Sequence, residues 1–226
     1  MRYSLLIPAY NEEKNISHII RDAFQYVQDI FVVDDGSGDR TSFLAREAGA
    51  KVIVHQKNMG KGKALLTGFS EIMKNNFDAV ITMDADGQHL PSEIPILKTV
   101  FEQGDCDIII GERLINRNIM PIHRALANRI GEIFISRAIG TKIRDTQSGF
   151  RIYSTDVIKS IHIETAGFEM ETEILLKSRY AGFHVGTATI TTVYADDYSS
   201  HFRPVRDFYR ISVCFLKCFL KTKCLS

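Results

Sequence analysis

The chain has 226 residues, 45% of them hydrophobic, and a formal charge of +1, which allows a buried core and argues against a disordered chain or a general nucleic-acid binder. Its four cysteines, Cys106, Cys214, Cys218 and Cys224, contain no CxxC pair, so neither a disulfide framework nor a zinc site is indicated and a reducing cytosol fits. The opening "MRYSLLIPAYNEE" holds too short an apolar run for a signal peptide, and no run reaches the roughly 18 residues of a membrane-spanning helix.

The N-terminal half alternates short apolar runs with helical patterns, as expected of βα units feeding a mostly parallel sheet. A strand at "YSLLIPA" leads into a helix that Asn11 can cap, in which Ile16, Ile19, Ile20, Ala23, Phe24 and Val27 recur at helical spacing. Strands at "DIFVVDD" and "AKVIVHQ" follow, then a helix marked by Ala64, Leu65, Gly68, Phe69, Ile72 and Met73. A strand at "AVITMDAD", a helix after Pro91 and a strand at "CDIIIGER" complete this half. Beyond it the pattern predicts helices over about 120–139, 154–161, 168–181 and 203–220, with a strand at "HVGTATITTVYA". No repeat or linker interrupts the chain. The expectation is a single α/β domain over 1–210, its central sheet mostly parallel and flanked by helices, with a helical tail over 203–226.

Each N-terminal strand ends in polar residues on the same side. Ligands of open α/β sheets sit outside the carboxyl ends of the strands, so Pro8 to Glu12, Asp34 to Asp39, Asp84 to His89 and Gly111 to Arg113 should converge. Asp84 and Asp86, one residue apart, would repel each other unless a cation lay between them, and a hard divalent ion such as Mg²⁺ suits one or two carboxylates completed by water and phosphate oxygens. Gln88 could add a carbonyl oxygen. A calcium loop is excluded because it needs glycine sixth and glutamate twelfth, whereas Gly87 is fourth and Pro95 twelfth.

In "VVDDGSGDRT" the absence of GxGxxG excludes a dinucleotide fingerprint. Asp35 could accept hydrogen bonds from a nucleobase edge, or the segment could be a turn with Ser37 or Asp39 capping a helix. Lys61 and Lys63 of "NMGKGKA" open a helix whose N-terminus favours anions, or are solvated surface lysines. Glu169, Glu171 and Glu173 crowd the first turns of a helix, where acids suit the dipole.

In order, "LLIPAYNEEKNI", "VVDDGSGDRT", "NMGKGKA", "MDADGQH", "GER", "DTQSGFRIY" and "GFEMETEIL" resemble the motifs of the family 2 inverting glycosyltransferases of the GT-A fold. Within that family the chain is most similar to the dolichol-phosphate mannose synthases and related polyprenyl-phosphate glycosyl synthases. The likeness runs from Leu5 to about Arg210 and implies hexose transfer from GDP-mannose or a UDP-sugar to a polyprenyl phosphate, with Mg²⁺ or Mn²⁺ as cofactor. It implies Pro8, Tyr10 and Glu12 around the nucleotide and Asp35 on the base. Asp84, Ala85, Asp86 and Gln88 then hold metal and diphosphate, Arg113 lies near the phosphates, and "DTQSGFR" lies under the acceptor. Val33, Lys63, Ser148, Arg151 and Arg203 complete the implied substrate-binding set, and Asp84, Asp86 and Gln88 the metal set. Such synthases often carry membrane helices after the catalytic domain, which this chain lacks, so recruitment to lipid is expected from the tail, a membrane-anchoring partner or a homo-oligomer.

A lipid phosphate acceptor, with a second pKa near ~6, is already ionised at neutral pH and needs arginines rather than a base. Candidates are Arg113, Arg124, Arg129, Arg151, Arg203 and Arg206. A hydroxyl acceptor, on a saccharide or a protein, would need a carboxylate base, for which Asp145 is the first candidate; a catalytically silent scaffold is the third reading. At about 100° per residue Arg203, Arg206, Arg210, Lys217 and Lys221 form one stripe, opposed by Phe208, Ile211, Val213, Phe215, Leu216, Phe219 and Leu220. A basic amphipathic helix of this kind is expected to lie on the cytoplasmic face of a membrane, or to pack on the domain or a partner.

Overall fold

The computed structural model describes residues 1–113, 132–146, 148–167, 169–191 and the single position 213. Seven strands form one sheet in the order β3-β2-β1-β4-β6-β5-β7. These are β1 (Tyr3–Ala9), β2 (Asp29–Asp34), β3 (Lys51–Val54), β4 (Ala79–Thr82), β5 (Ile108–Arg113), β6 (Arg151–Ser154) and β7 (Val185–Ile190). Every neighbouring pair is parallel except β6, which runs antiparallel to both β4 and β5. Because β6 is reversed relative to both neighbours, β5 points the same way as β4, and the carboxyl ends of β1, β2, β4 and β5 share one edge of the sheet.

Alternation along β1 explains the layers. Leu5 and Ile7 join a core with Ile16, Ile19 and Ile20 of α1 (Ile16–Ala23), Ala45 of α2 (Thr41–Glu47) and Leu97 of α4 (Ile94–Glu102). Leu6, between them, faces the opposite core with Leu65 and Phe69 of α3 (Lys61–Ile72), Ile135 of the helix over 132–139 (α5), Val157 of α6 (Thr155–Ser160) and Leu175 of α7 (Glu169–Tyr180). Side chains of a strand alternate between faces, so a continuous apolar run means both faces are covered. Helix α3 lies so close to β1 that a Cβ on Gly68 would stand 2.2 Å from Leu6 Cδ1.

One strand, β6, escapes sequence reading, and α2 answers to the helix that Ser37 or Asp39 could cap. The helix expected near 154–161 is α6, and the four residues before it pair as β6 between β4 and β5. Asn11 does not cap α1, which starts at Ile16. It takes a left-handed conformation with φ of 57° and accepts a hydrogen bond from Gly38 N–H at Oδ1, joining the first two strand-end loops. The basic tail over 203–226 and Arg203, together with Arg124 and Arg129, lie outside the described residues, apart from position 213. Among the described residues no helix is long and apolar enough to cross a membrane.

Candidate active site

Four strand ends build the site. Ala9 pairs with Asp34 across β1 and β2, so the tips are level, and the loops beyond them are laced together: Asn11 N–H donates to Ser37 Oγ, Glu12 N–H to Thr41 Oγ1 and Glu13 N–H to Asp39 Oδ2. Asp39 also accepts Thr41 N–H at the start of α2. Pro8 is tolerated in a central strand because β4 stops at Thr82, opposite Leu6, so the missing N–H falls where no β4 ladder bond is needed. Pro8 and its register partner Val33 are buried, and Tyr10 is half-buried just beyond the strand.

The tip of β4 carries the acids. Asp84 Oδ1 lies 2.7 Å from Lys61 Nζ, and the same ammonium is 3.2 Å from Glu171 Oε1 at the start of α7. Gly149 closes on the other side, where a Cβ would stand 2.4 Å from the Asp84 carboxylate. Burial pushes the Asp84 carboxyl up, but Lys61 outweighs it and holds the group below the usual carboxylate range. Asp86 is the converse case: burial, then the charge of Asp84, raise it, and only the Gln88 N–H bond to Oδ1 and more distant cations oppose the rise. Ala85 between them is buried. His89 is 2% exposed, lies 5.3 Å from the Phe150 ring and has no partner at Nδ1 among the described residues. Burial drives its pKa down to about 4 against the pull of Asp84, so the imidazole is neutral.

Beyond β5, Arg113 forms a fork. Its Nε and Nη2 donate to the two oxygens of Asp145, at 2.5 and 3.1 Å, and Nη1 donates to Gln88 Oε1 at 2.9 Å. Three of the expected site residues are engaged with one another here. Asp145 is 4% exposed with both oxygens on Arg113, where it holds the guanidinium in place. Gln88 offers its amide oxygen to Arg113. Arg151 is fully buried and donates to the carbonyls of Ser148, Thr146 and Glu171. Ser148, also fully buried, accepts Phe150 N–H.

Asp35 is buried too. Its oxygens accept Met59 N–H at 3.0 Å, Gly60 N–H at 2.7 Å and a contact from His55 Nδ1 at 2.6 Å. The carboxylate therefore already fastens the loop over 55–60, and a nucleobase would take up its remaining lone-pair capacity. Of the two lysines it is Lys61 that reaches the acids; Lys63 gives its backbone N–H to Ala166 O. Glu171 is the residue that sequence reading passed over, since its spacing suited a helix dipole and nothing local tied it to Asp84.

A family model described as glycosyl transferase family 2 matches residues 4–161, which include all four strand ends. The chain belongs to glycosyl transferase family 2. Among family 2 relatives it is 35% identical over 195 residues to the dolichol-phosphate mannosyltransferase of Pyrococcus furiosus, covering 80% of this chain and 54% of that one. It is 30% identical over 217 residues to the UDP-N-acetylglucosamine–dolichyl-phosphate N-acetylglucosaminyltransferase of Methanococcus voltae, covering 85% and 86% of the two chains. The fold matches the glucosyl-3-phosphoglycerate synthase of Mycobacterium tuberculosis solved with Mn²⁺, UDP-glucose and phosphoglyceric acid, with a TM-score of 0.73, 20% identity and coverage of 96% of this chain and 79% of that one. The protein is thus a glycosyltransferase.

The residues present fit a divalent cation that brings most of its own ligands. Among the described residues no three His, Cys, Asp or Glu side chains gather to hold an ion unaided, yet Asp86 is a half-buried carboxylate without a Lys or Arg partner there. Mg²⁺ and similar ions use one or two carboxylates and take the rest from water and phosphate.

Glu12 gives a pH test of this acidic rim. Burial, together with Asp86, Asp39 and Asp84, raises its pKa to about 7 despite a hydrogen bond from Asn15. The folded state therefore keeps a proton that the unfolded chain has released above its ordinary 4.5, and metal-free stability falls as pH rises between those values. Glu12→Gln is expected to be about 1–2 kcal/mol more stable than wild type at pH 8, after discounting for partial exposure, and equal to it near pH 4. Urea unfolding in EDTA measures this; parallel curves at both pH values would refute the raised pKa.

Proposed function

We propose that this family 2 enzyme transfers a hexose from GDP-mannose or a UDP-sugar to a polyprenyl phosphate, with inversion, at a membrane surface. The observation that carries the choice of acceptor is the Arg113–Asp145 fork. A hydroxyl acceptor needs a carboxylate to take its proton, and both oxygens of Asp145 are already committed to a guanidinium. A phosphate monoester reaches the site as an anion and asks only for positive charge and orientation. The names of the two archaeal relatives, both dolichyl-phosphate transferases, support the same class of acceptor.

In this reading the β1 and β2 loops, with Pro8, Tyr10, Val33 and Asp35, receive the nucleoside, and Asp86 faces the diphosphate. Asp86 would hold Mg²⁺ or Mn²⁺, whose charge would stabilise a departing diphosphate. Arg113, fixed by Asp145 and Gln88, presents preorganised positive charge to phosphate oxygens, the arrangement in which a guanidinium contributes most to a charged transition state. Neutral His89 and Phe150 keep the floor beneath the acids dry. The test offers labelled GDP-mannose, UDP-glucose and UDP-N-acetylglucosamine with either polyprenyl phosphate or the free polyprenol. Transfer is expected to the phosphate alone, and equal transfer to the alcohol would overturn the acceptor assignment.

A further inference from the structure

Lys61 is held more firmly than a substrate-seeking lysine requires. It is the first residue of α3, entered through Gly60 at a φ of 96°, a left-handed conformation that glycine adopts without strain. Its neighbour Gly62 lies against the segment before α7, where a Cβ would stand 2.5 Å from Ala166 C and Gly167 O, and Lys63 N–H donates to Ala166 O at 3.0 Å. The start of α3 is thus clamped to the start of α7, which carries Glu171. Between them the Lys61 ammonium spans Glu171 Oε1 and Asp84 Oδ1, with its side chain 17% exposed. Arg151 lies 4.0 Å from the other oxygen of Glu171, so the acids Asp84 and Glu171 and the bases Lys61 and Arg151 balance in charge without any added ion.

We propose that Lys61, tethered by Glu171, is a resident counter-ion that competes with a divalent cation for Asp84 and so makes metal binding wait for the nucleoside diphosphate. The proposal rests on the metal reading above. A cation arriving alone finds Asp84 paired with Lys61 and the Gln88 amide oxygen hydrogen-bonded to Arg113, so that at this strand tip Asp86 is the acid with no Lys or Arg partner among the described residues. To use Asp84 it must displace an ammonium from a low-dielectric pocket, where an opposite-charge pair is costly to break. A diphosphate changes that balance, since it brings oxygen ligands and negative charge of its own. Lys61 is here a positioning residue, acting on the metal through Asp84.

The experiment is Mn²⁺ binding to the full chain, read from the EPR signal of free Mn²⁺, with and without GDP or UDP. Wild type is expected to bind Mn²⁺ alone weakly and to tighten when the nucleotide it recognises is added. Lys61→Met removes the competitor and is expected to bind Mn²⁺ alone on the order of tenfold more tightly, with less gain from nucleotide, since ligand charge sets the affinity of such sites. Lys61→Arg keeps the charge and should behave as wild type. Glu171→Gln leaves Lys61 to Asp84 alone and should weaken nucleotide-free binding, so it carries the test if Lys61→Met fails to fold by circular dichroism. Unchanged or weaker Mn²⁺ binding in a folded Lys61→Met, or tighter binding in Glu171→Gln, overturns the proposal. Wild type that takes up no Mn²⁺ even with GDP and UDP would instead refute the metal reading itself.

Discussion

Asp86→Asn is expected to lower kcat by about 10²–10³-fold while leaving the fold and its melting temperature intact or slightly raised. Asp86 is a half-buried carboxylate with little charge compensation: partial burial and Asp84 push its pKa up, and among the described residues one backbone N–H is the hydrogen bond that holds it. Removing its charge relieves repulsion in the metal-free protein, so stability does not suffer. The same charge is what an incoming cation needs, and losing one preorganised electrostatic contact to a transition state costs about 3–4 kcal/mol. Donor KM should change less than kcat, because in the proposed reading the nucleoside contacts the β1 and β2 loops and not Asp86. Steady-state kinetics with and without EDTA decide the matter. A variant that transfers sugar at the wild-type rate, or wild type that is fully active in EDTA, would remove Asp86 and the cation from the mechanism.

The parts of this site that were legible in the sequence are those fixed by strand ends. A strand such as "AVITMDAD" is apolar because both faces are covered, and its register carries Asp84 and Asp86 to the carboxyl edge whatever the rest of the chain does. The parts that were not legible depend on contacts far along the chain. "RIYS" becomes β6 because the β4 and β5 edges are both open to it; four residues after a polar loop carry no periodicity of their own. Once it pairs there, Arg151 is drawn into the interior and its guanidinium satisfies backbone carbonyls, a set of contacts that motif position did not foretell. Glu171 and Lys61 are 110 residues apart and meet because two glycine-lined helix starts abut. The helix α2 lies between these cases: Asp39 at the start of "DRTSFLAREAG" reads as a possible cap, while Gly49 at its end is an ordinary stop signal that bounds the helix.

The contrast between Arg113 and Asp145 separates positioning from proton transfer. Arg113→Lys is expected to lower kcat/KM on the order of 10²-fold, since a lysine keeps the charge but cannot span Asp145 and Gln88 at once, and bonds between charged groups contribute about 1.5–3 kcal/mol each. Asp145→Asn should be milder, about tenfold, because the amide keeps one acceptor for the guanidinium and the loss acts through a loosened Arg113. The two changes should not add: a double variant no worse than Arg113→Lys alone is the signature of one residue acting through the other. The pH–rate profile gives an independent readout. If Asp145 only orients Arg113, its replacement lowers the whole profile without moving the acid limb; if it removes a proton from a hydroxyl acceptor, that limb disappears and the loss matches or exceeds that of Asp86→Asn. An Asp145→Asn enzyme with a vanished acid limb would therefore return the acceptor to the alcohols and make the fork with Arg113 a resting arrangement of the donor-free site.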